Sequence, residues 1–391
     1  MNSPEGEKLD GPRYTSRETL VIVGICSLPG VVINFVPLLV SAMVASVGLS
    51  EQQSGFIVSA DMAGYTIGTM TAFFLIDKIS WRGFTRYSLF LMLLANLLCS
   101  QAEGFTYLLG LRFLSGLSGG AITAVMLSVI AQMRNPDAVY GLWFVVMSLI
   151  TIAGMVMFPY LLETAGLGGA FSALATIALI CLPFLNAIPH GATKAEPGSK
   201  APSASFPAVI LVVASIFFLT TGIGGSWAFL GQIGTSAGLT VEQVSFAIAY
   251  SAAGGVAGGL LAGWVAMKSE RLFPVSLSCT GLVATMLLLM MDSPSYLLYA
   301  FCCFAFYGLW SFVLPFLLGT LAELERSGRA LSLGSTAQGA GLMAGPFLAS
   351  SILYFHGYNT MLAFASGLIV LCFCLVLLAQ NMPRIYRIGN E

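Results

Sequence analysis

The amino-acid sequence predicts an all-α membrane protein, with twelve transmembrane helices in two pseudo-symmetric six-helix halves. Three observations predict it. Charged residues make up 8% of the 391 residues and hydrophobic residues 57%, whereas a soluble domain carries about 25% charged residues. Apolar stretches long enough to cross a bilayer recur along the whole chain, with basic residues in every second connection. The first two of these stretches return 190 residues later.

Allowing about 20 residues per span, apolar segments start near residues 20, 53, 87, 105, 139, 168, 207, 242, 272, 296, 331 and 360. Residues 1–19 are polar and of mixed charge, with none of the short apolar core of a cleaved signal peptide, so they are expected to form a retained cytoplasmic tail. Residues 20–188 form the first half and 207–380 the second. Between them, residues 189–206 carry Pro, Gly, Ser, Ala and Lys and read as the linker. Residues 381–391 read as a second cytoplasmic tail.

The basic residues set the orientation. Lys8, Arg13, Arg17, Lys78, Arg82, Arg86, Arg134, Lys194, Lys200, Lys268, Arg271, Arg326, Arg329, Arg384 and Arg387 all fall on one side of a twelve-span path. Arg112 is the sixteenth and last basic residue. The opposite connections hold Glu51, Glu103, Glu163, Glu242 and Asp292. The positive-inside rule then makes both termini cytoplasmic, with the cell (inner) membrane as the expected location.

The repeat pairs Gly48 with Gly238, Gln53 with Gln243, Gly64 with Gly254, Gly68 with Gly258 and Lys78 with Lys268. Small residues four apart let membrane helices approach closely. Two halves related in this way are one architecture of secondary transporters, which place the solute site at mid-membrane between the halves.

Arg112 stands within an apolar segment, where an arginine needs a partner or a watery cavity because its burial costs roughly 2.5 kcal/mol or more. On a helix it shares one face with Ser115, Gly116, Gly119 and Thr123. Asp61 is the one acidic residue placed well inside the membrane, on the small-residue face of span two with Gly64, Tyr65 and Gly68. Counting from the span entrances, both lie roughly 9 to 12 Å below the outer surface. An Asp61–Arg112 pair is therefore expected, either as a static brace or as a proton site in which burial favours the acid and Arg112 the carboxylate. The repeat puts Ser251 at the counterpart of Asp61.

Other chemistries find no support. The run Gly116-Leu117-Ser118-Gly119-Gly120 fits the nucleophile-elbow pattern, but it sits mid-helix, and His190 and His356 fall in loops on opposite sides. The sequence has no phosphate-cradling Gly-Lys-Ser/Thr loop and no basic tract for nucleic acid. The eight cysteines lie in apolar runs without metal-site spacing. No enzyme activity, cofactor or metal is expected.

The chain resembles the major facilitator superfamily over essentially its whole length. The family's loop after span two corresponds to residues 72–86, where Asp77, Arg82 and Arg86 survive but the opening Gly and tight Asp-Arg-x-Gly core do not. Arg112, Gly116, Gly119 and Gly120 match the span-four motif, whose arginine the family ties to proton coupling. The span-five Gly-x-x-x-Gly-Pro pattern keeps Gly154 and Pro159 but has Phe158 for its second Gly. An intact version, Gly341, Gly345 and Pro346, appears in span eleven. The departures leave the direction of transport open.

The resemblance implies a cavity among spans one, four, seven and ten, with Asn34, Ser115, Ser118, Thr220, Thr221, Tyr307 and Trp310 at mid-depth and Trp227 and Gln232 nearer the outer end. It also implies conformational roles for Asp77, Arg82, Arg86, Gly116, Gly120, Gly341, Gly345 and Pro346. Such a lightly polar, partly aromatic cavity suits a small amphipathic organic solute, with organic anions among the candidates. The expected function is proton-coupled secondary transport of that solute by alternating access. A drug-type proton antiporter and an uncoupled uniporter of the same fold are the alternatives. The expected partners are the solute, protons and the lipid bilayer, with the chain a monomer.

Overall fold

A computed structural model describes residues 14–76, 78–102, 104–133, 136–191, 206–266, 271–291, 294–324 and 329–388. The described residues form helices α1 (Ser16–Val47), α2 (Glu51–Leu75), α3 (Trp81–Cys99), α4 (Phe105–Ala131), α5 (Pro136–Cys181), α6 (Phe206–Ser236), α7 (Val241–Ala266), α8 (Leu272–Leu289), α9 (Tyr296–Leu324) and α10 (Arg329–Ile388). A 3-10 turn, Leu182–Ala187, follows α5.

Two of these helices reverse direction. Gly166 in α5 and Gly357 in α10 adopt positive φ (61° and 80°) with extended ψ, a conformation that breaks the helix and favours glycine. In α10 the reversal follows from its neighbours. A Cβ on Gly225 of α6 would meet the Gly345 carbonyl, and one on Gly222 would meet the Ala365 carbonyl, each at 2.9 Å. Residues 222 and 225 stand about 4.5 Å apart along their axis, whereas twenty residues of straight helix would span about 30 Å. The chain therefore doubles back at Gly357. Likewise Tyr140 and Ala187, at the two ends of the α5 segment, pack on the same apolar cluster around Trp81 and Ile122.

Counting each arm of the bent helices gives twelve helical segments among the described residues. By length and composition, eight helices among the described residues qualify as membrane spans. Neither α2 nor α3 is among them: α2 carries Asp61 with several Ser, Thr and Gly, and α3 opens with Arg82 and Arg86. That opening also places the start of α3 at Trp81, six residues before the expected entrance of the third span.

The halves repeat down to their caps. Ser50 accepts from the Gln53 amide while the Gln53 side chain accepts from the Ser50 amide (3.1 and 3.0 Å), a reciprocal arrangement that satisfies free amides at the start of α2. Thr240 and Gln243 do the same ahead of α7 (3.2 and 3.0 Å). Gly48 and Gly238, which end the preceding helices, both have positive φ.

The halves meet along α1–α6, α2–α10 and α5–α7. Phe56 stacks on Phe347 at 4.9 Å, Tyr358 donates to Glu51, and Gly231 packs under the Pro37 carbonyl and Ser41. These contacts lie toward the end of the bundle that carries the Gly48 and Gly238 turns, which is therefore shut. The other end, with Lys78, Arg82, Arg86 and Arg271, is the basic face.

Candidate functional site

The seam between α2 and α4 brings Asp61 to Arg112. Four glycines interlock there: a Cβ on Gly64 would strike the Phe113 carbonyl, on Gly68 the Leu117 carbonyl, on Gly116 the Asp61 carbonyl, and on Gly120 the Tyr65 carbonyl. Only backbone hydrogens separate the helices, the close approach that small residues permit. Thr69 adds a hydrogen bond to the Gly120 carbonyl at 3.3 Å. Because Asp61 rides over Gly116, its carboxylate reaches the side chain one turn earlier on α4.

That side chain is Arg112, whose Nη2 donates to Asp61 Oδ2 at 2.5 Å with both residues buried. Nη1 donates to Asn96 Oδ1 at 3.0 Å and to Ser115 Oγ at 3.3 Å. Asn96 Nδ2 in turn donates to Ser115 Oγ (3.2 Å) and to the Met92 carbonyl (2.8 Å). The guanidinium also lies 5.5 Å from the centre of the Phe171 ring, a cation–π contact. A small cavity of about 10 Å³, room for roughly one water, borders the pair and is lined on the other side by Pro29, Val32 and Ile33 of α1.

In the second half the same seam is neutral. Gly254 packs under the Phe304 carbonyl and Gly258 under Gly308, reproducing Gly64 under Phe113 and Gly68 under Leu117. The residue before Phe304 is Cys303, where the first half has Arg112, and Ser251 stands for Asp61. Ser251 Oγ donates to the Ile248 carbonyl at 2.6 Å.

Ile33 connects the ion-pair cavity to a second cluster. An α-helical carbonyl accepts from the amide four residues on, but that residue is Pro37, which has no N–H. The Ile33 carbonyl instead accepts from Trp227 Nε1 of α6 at 3.1 Å. Trp227 stacks on Tyr307 (5.2 Å, 19°), and Trp310 meets both rings edge-on (6.1 and 5.5 Å). Tyr307 donates to Asn34 Oδ1 at 2.9 Å, and Asn34 Nδ2 donates to Thr151 Oγ1 at 3.0 Å. Four of the expected solute-site residues, Asn34, Trp227, Tyr307 and Trp310, thus form one group joining the two halves.

The other expected solute-site residues lie elsewhere. Ser115 belongs to the Arg112 network. Ser118 Oγ donates to the Leu114 carbonyl of its own helix. Thr220 and Thr221 donate to the Ile216 and Phe217 carbonyls and lie at the α6–α10 seam, where a Cβ on Gly341 would strike Thr220 and one on Gly345 would meet the Thr221 carbonyl. Gln232 accepts from Thr235 at 3.2 Å.

Of the residues with expected conformational roles, Gly116 and Gly120 build the α2–α4 seam, and Gly341 and Gly345 the α6–α10 seam. The Pro346 carbonyl lies against Gly55 of α2. Arg82 donates to the Ile188 and Asn186 carbonyls at 2.9 and 3.0 Å, closing the 3-10 turn onto α3. Arg86 is exposed on the outer surface of α3. Asp77 lies outside the described residues.

Asn96 and Thr151 were not anticipated. Both lie on spans, α3 and α5, that the resemblance did not place at the cavity; Asn96 is the one polar residue of its apolar stretch, residues 89–99, whereas Thr151 has Ser148 one turn before it on α5. Isolation in an apolar run is the signal that marks Asn96; Thr151 carries no comparable one.

Comparison with known proteins now adds to the geometry. A family model described as the Major Facilitator Superfamily matches residues 20–324. A relative from Bacillus subtilis (strain 168), described as the uncharacterized MFS-type transporter YceJ, is 23% identical over 314 residues, covering 77% of this chain and 80% of its own length. Among solved structures the chain is similar to a mutant of the nucleoside transporter NupG, with a TM-score of 0.77 at 10% identity over 93% of this chain and 99% of that one. It is also similar to a bacterial homolog of the human lysosomal transporter Spinster in an inward-facing, occupied conformation, with a TM-score of 0.69 at 14% identity over 95% and 98% of the two chains. These structural likenesses establish the fold.

Proposed function

The chain belongs to the major facilitator superfamily, and from that premise we propose that it carries a small amphipathic organic solute across the inner membrane by alternating access, coupled to protons through Asp61. The observation that carries this reading is the buried Asp61–Arg112 pair beside a small cavity that it shares with α1. Protonating Asp61 would leave Arg112 without its counter-charge. Breaking a buried pair in that way costs about 3 to 5 kcal/mol unless the survivor finds a new partner. Protonation therefore favours any conformation in which Arg112 is re-satisfied.

Two features give that preference a path and a substrate class. The cavity wall includes Ile33, whose carbonyl holds Trp227 of the opposite half, so a shift of α2 and α4 against α1 bears on the contact between halves. An anionic group reaching Arg112 would replace the lost charge, which favours an organic anion moving with a proton. The aromatic group of Trp227, Tyr307 and Trp310 offers flat apolar surface for the rest of such a solute. In this reading the basic face is cytoplasmic and both termini lie on that side, by the positive-inside rule. Transport needs no second chain, and the protein works as a monomer.

A second reading has its own support. The four interlocked glycines around the pair describe a rigid seam, which suits a static brace in an uncoupled uniporter. Proteoliposomes loaded with a pH-sensitive dye discriminate the two readings. A panel of amphipathic organic acids, neutral analogues and nucleosides is added outside, the last because one similar structure is of a nucleoside transporter. Solute-induced proton entry supports symport, and proton exit indicates an antiporter. Solute flux with no proton movement indicates the uniporter.

A further inference from the structure

On the outer surface of the bundle, near the basic face, Arg86, Tyr87 and Phe90 of α3 and Leu182 and Leu185 of the 3-10 turn line an open groove of about 410 Å³. Its walls are fixed. Arg82 holds the Asn186 and Ile188 carbonyls, and the Trp81 amide donates to the His190 carbonyl at 3.0 Å. Leu185 is buried in the cluster around Trp81. Tyr87 is 77% exposed and Phe90 57% exposed on this outer face of the bundle, the face that a membrane-spanning helix turns toward lipid.

The cation in this groove is free. Arg82 is occupied by carbonyls, but Arg86 makes no hydrogen bond or ion pair among the described residues, and no acidic side chain lines the groove. Arg86 stands five residues into α3, about 7.5 Å from its basic-face end. That is headgroup depth, and the neighbouring Tyr87 fits the interfacial belt. Phe90 lies one turn further into the hydrocarbon.

We propose that this groove is a binding site for an anionic phospholipid, with the phosphate on the Arg86 guanidinium and an acyl chain along Phe90 and Leu182. Basic pockets on the cytoplasmic side of helix bundles recognise anionic headgroups in this way. A zwitterionic lipid is disfavoured because its ammonium would sit near Arg86 with no carboxylate in the lining to receive it. The site is independent of the transported solute.

The test uses the full chain in nanodiscs of phosphatidylglycerol and phosphatidylcholine in equal parts, with lipid retained after detergent extraction counted by native mass spectrometry. Wild type should retain phosphatidylglycerol in preference, and added phosphatidylglycerol should raise its melting temperature. Arg86→Gln should remove both effects. Leu182→Trp, which fills the groove and leaves Arg86 in place, should remove them too, while Arg17→Gln at the same face should keep them. Equal retention of the two lipids, or an Arg86→Gln protein that behaves as wild type, would overturn the proposal. So would a thermal shift reproduced by inorganic phosphate alone.

Discussion

Trp227 of the second half donates its indole N–H to the Ile33 carbonyl of the first half, at the one position where Pro37 has removed that carbonyl's own helical donor. A proline inside a membrane helix is tolerated when a neighbour satisfies the carbonyl it frees. Here the neighbour comes from across the interface between halves, so the proline in α1 creates a docking point for α6. The bond sits beside both the aromatic group and the cavity of the Asp61–Arg112 pair.

This relationship predicts a coupled mutant pair. Trp227→Phe keeps the stacking on Tyr307 but loses the donor, and Pro37→Ala returns the helical donor to Ile33. Each should loosen the closed end, seen as faster labelling of a cysteine placed at Ser41. Interhelical hydrogen bonds in membranes contribute about 0.6 kcal/mol on average, so a two- to threefold change is expected from each. The double mutant should change no more than either single one; additive effects would show that Trp227 and Ile33 act independently.

Much of this architecture was legible in the sequence, for identifiable reasons. Composition and the spacing of basic residues fix the class, and the 190-residue repeat extends from Gly48 and Gln53 to the paired caps and glycine seams. The Asp61–Arg112 pair was within reach because depth follows from counting residues along two helices. Thr220 and Thr221 show the limit: a helical face can be identified as polar without revealing which neighbour it meets, and theirs meets Gly341 and Gly345. The Ile33 carbonyl could be named as unpaired from Pro37 alone, but its donor lies 194 residues away, and no local pattern links them.

The glycine seams predict steric sensitivity. Gly64→Leu and Gly258→Leu would drive side chains into the Phe113 and Gly308 backbones, and such overpacking costs about 1 to 3 kcal/mol or more. Ile67→Ala and Leu260→Ala, at exposed positions of the same helices, should stay within about 0.5 kcal/mol. Melting temperatures in detergent compare the four, and wild-type values for both glycine variants would refute the seams.

The Arg82 clamp predicts a local effect. Arg82→Gln removes the charge-assisted bonds to the Asn186 and Ile188 carbonyls, and amide exchange over residues 182–188 should accelerate by about tenfold. Exchange elsewhere in α3 should change little, since Trp81 remains buried.

Orientation is tested by impermeant thiol labelling in spheroplasts, with Cys374 replaced to remove background. Ser203→Cys, in the segment between the halves, should label only after the membrane is opened, and Glu242→Cys should label in intact cells. The reverse pattern would invert the assignment of the basic face to the cytoplasm.

The most direct test of the proposed coupling is Asp61→Asn in proteoliposomes, using the solute that gives the largest proton signal in the wild-type panel. Asparagine keeps the shape of the side chain and removes its proton site. The account predicts that the variant loses pH-driven accumulation of that solute while retaining solute exchange across the membrane. Unchanged pH-driven accumulation by Asp61→Asn would contradict it and leave the Asp61–Arg112 pair as a brace between α2 and α4.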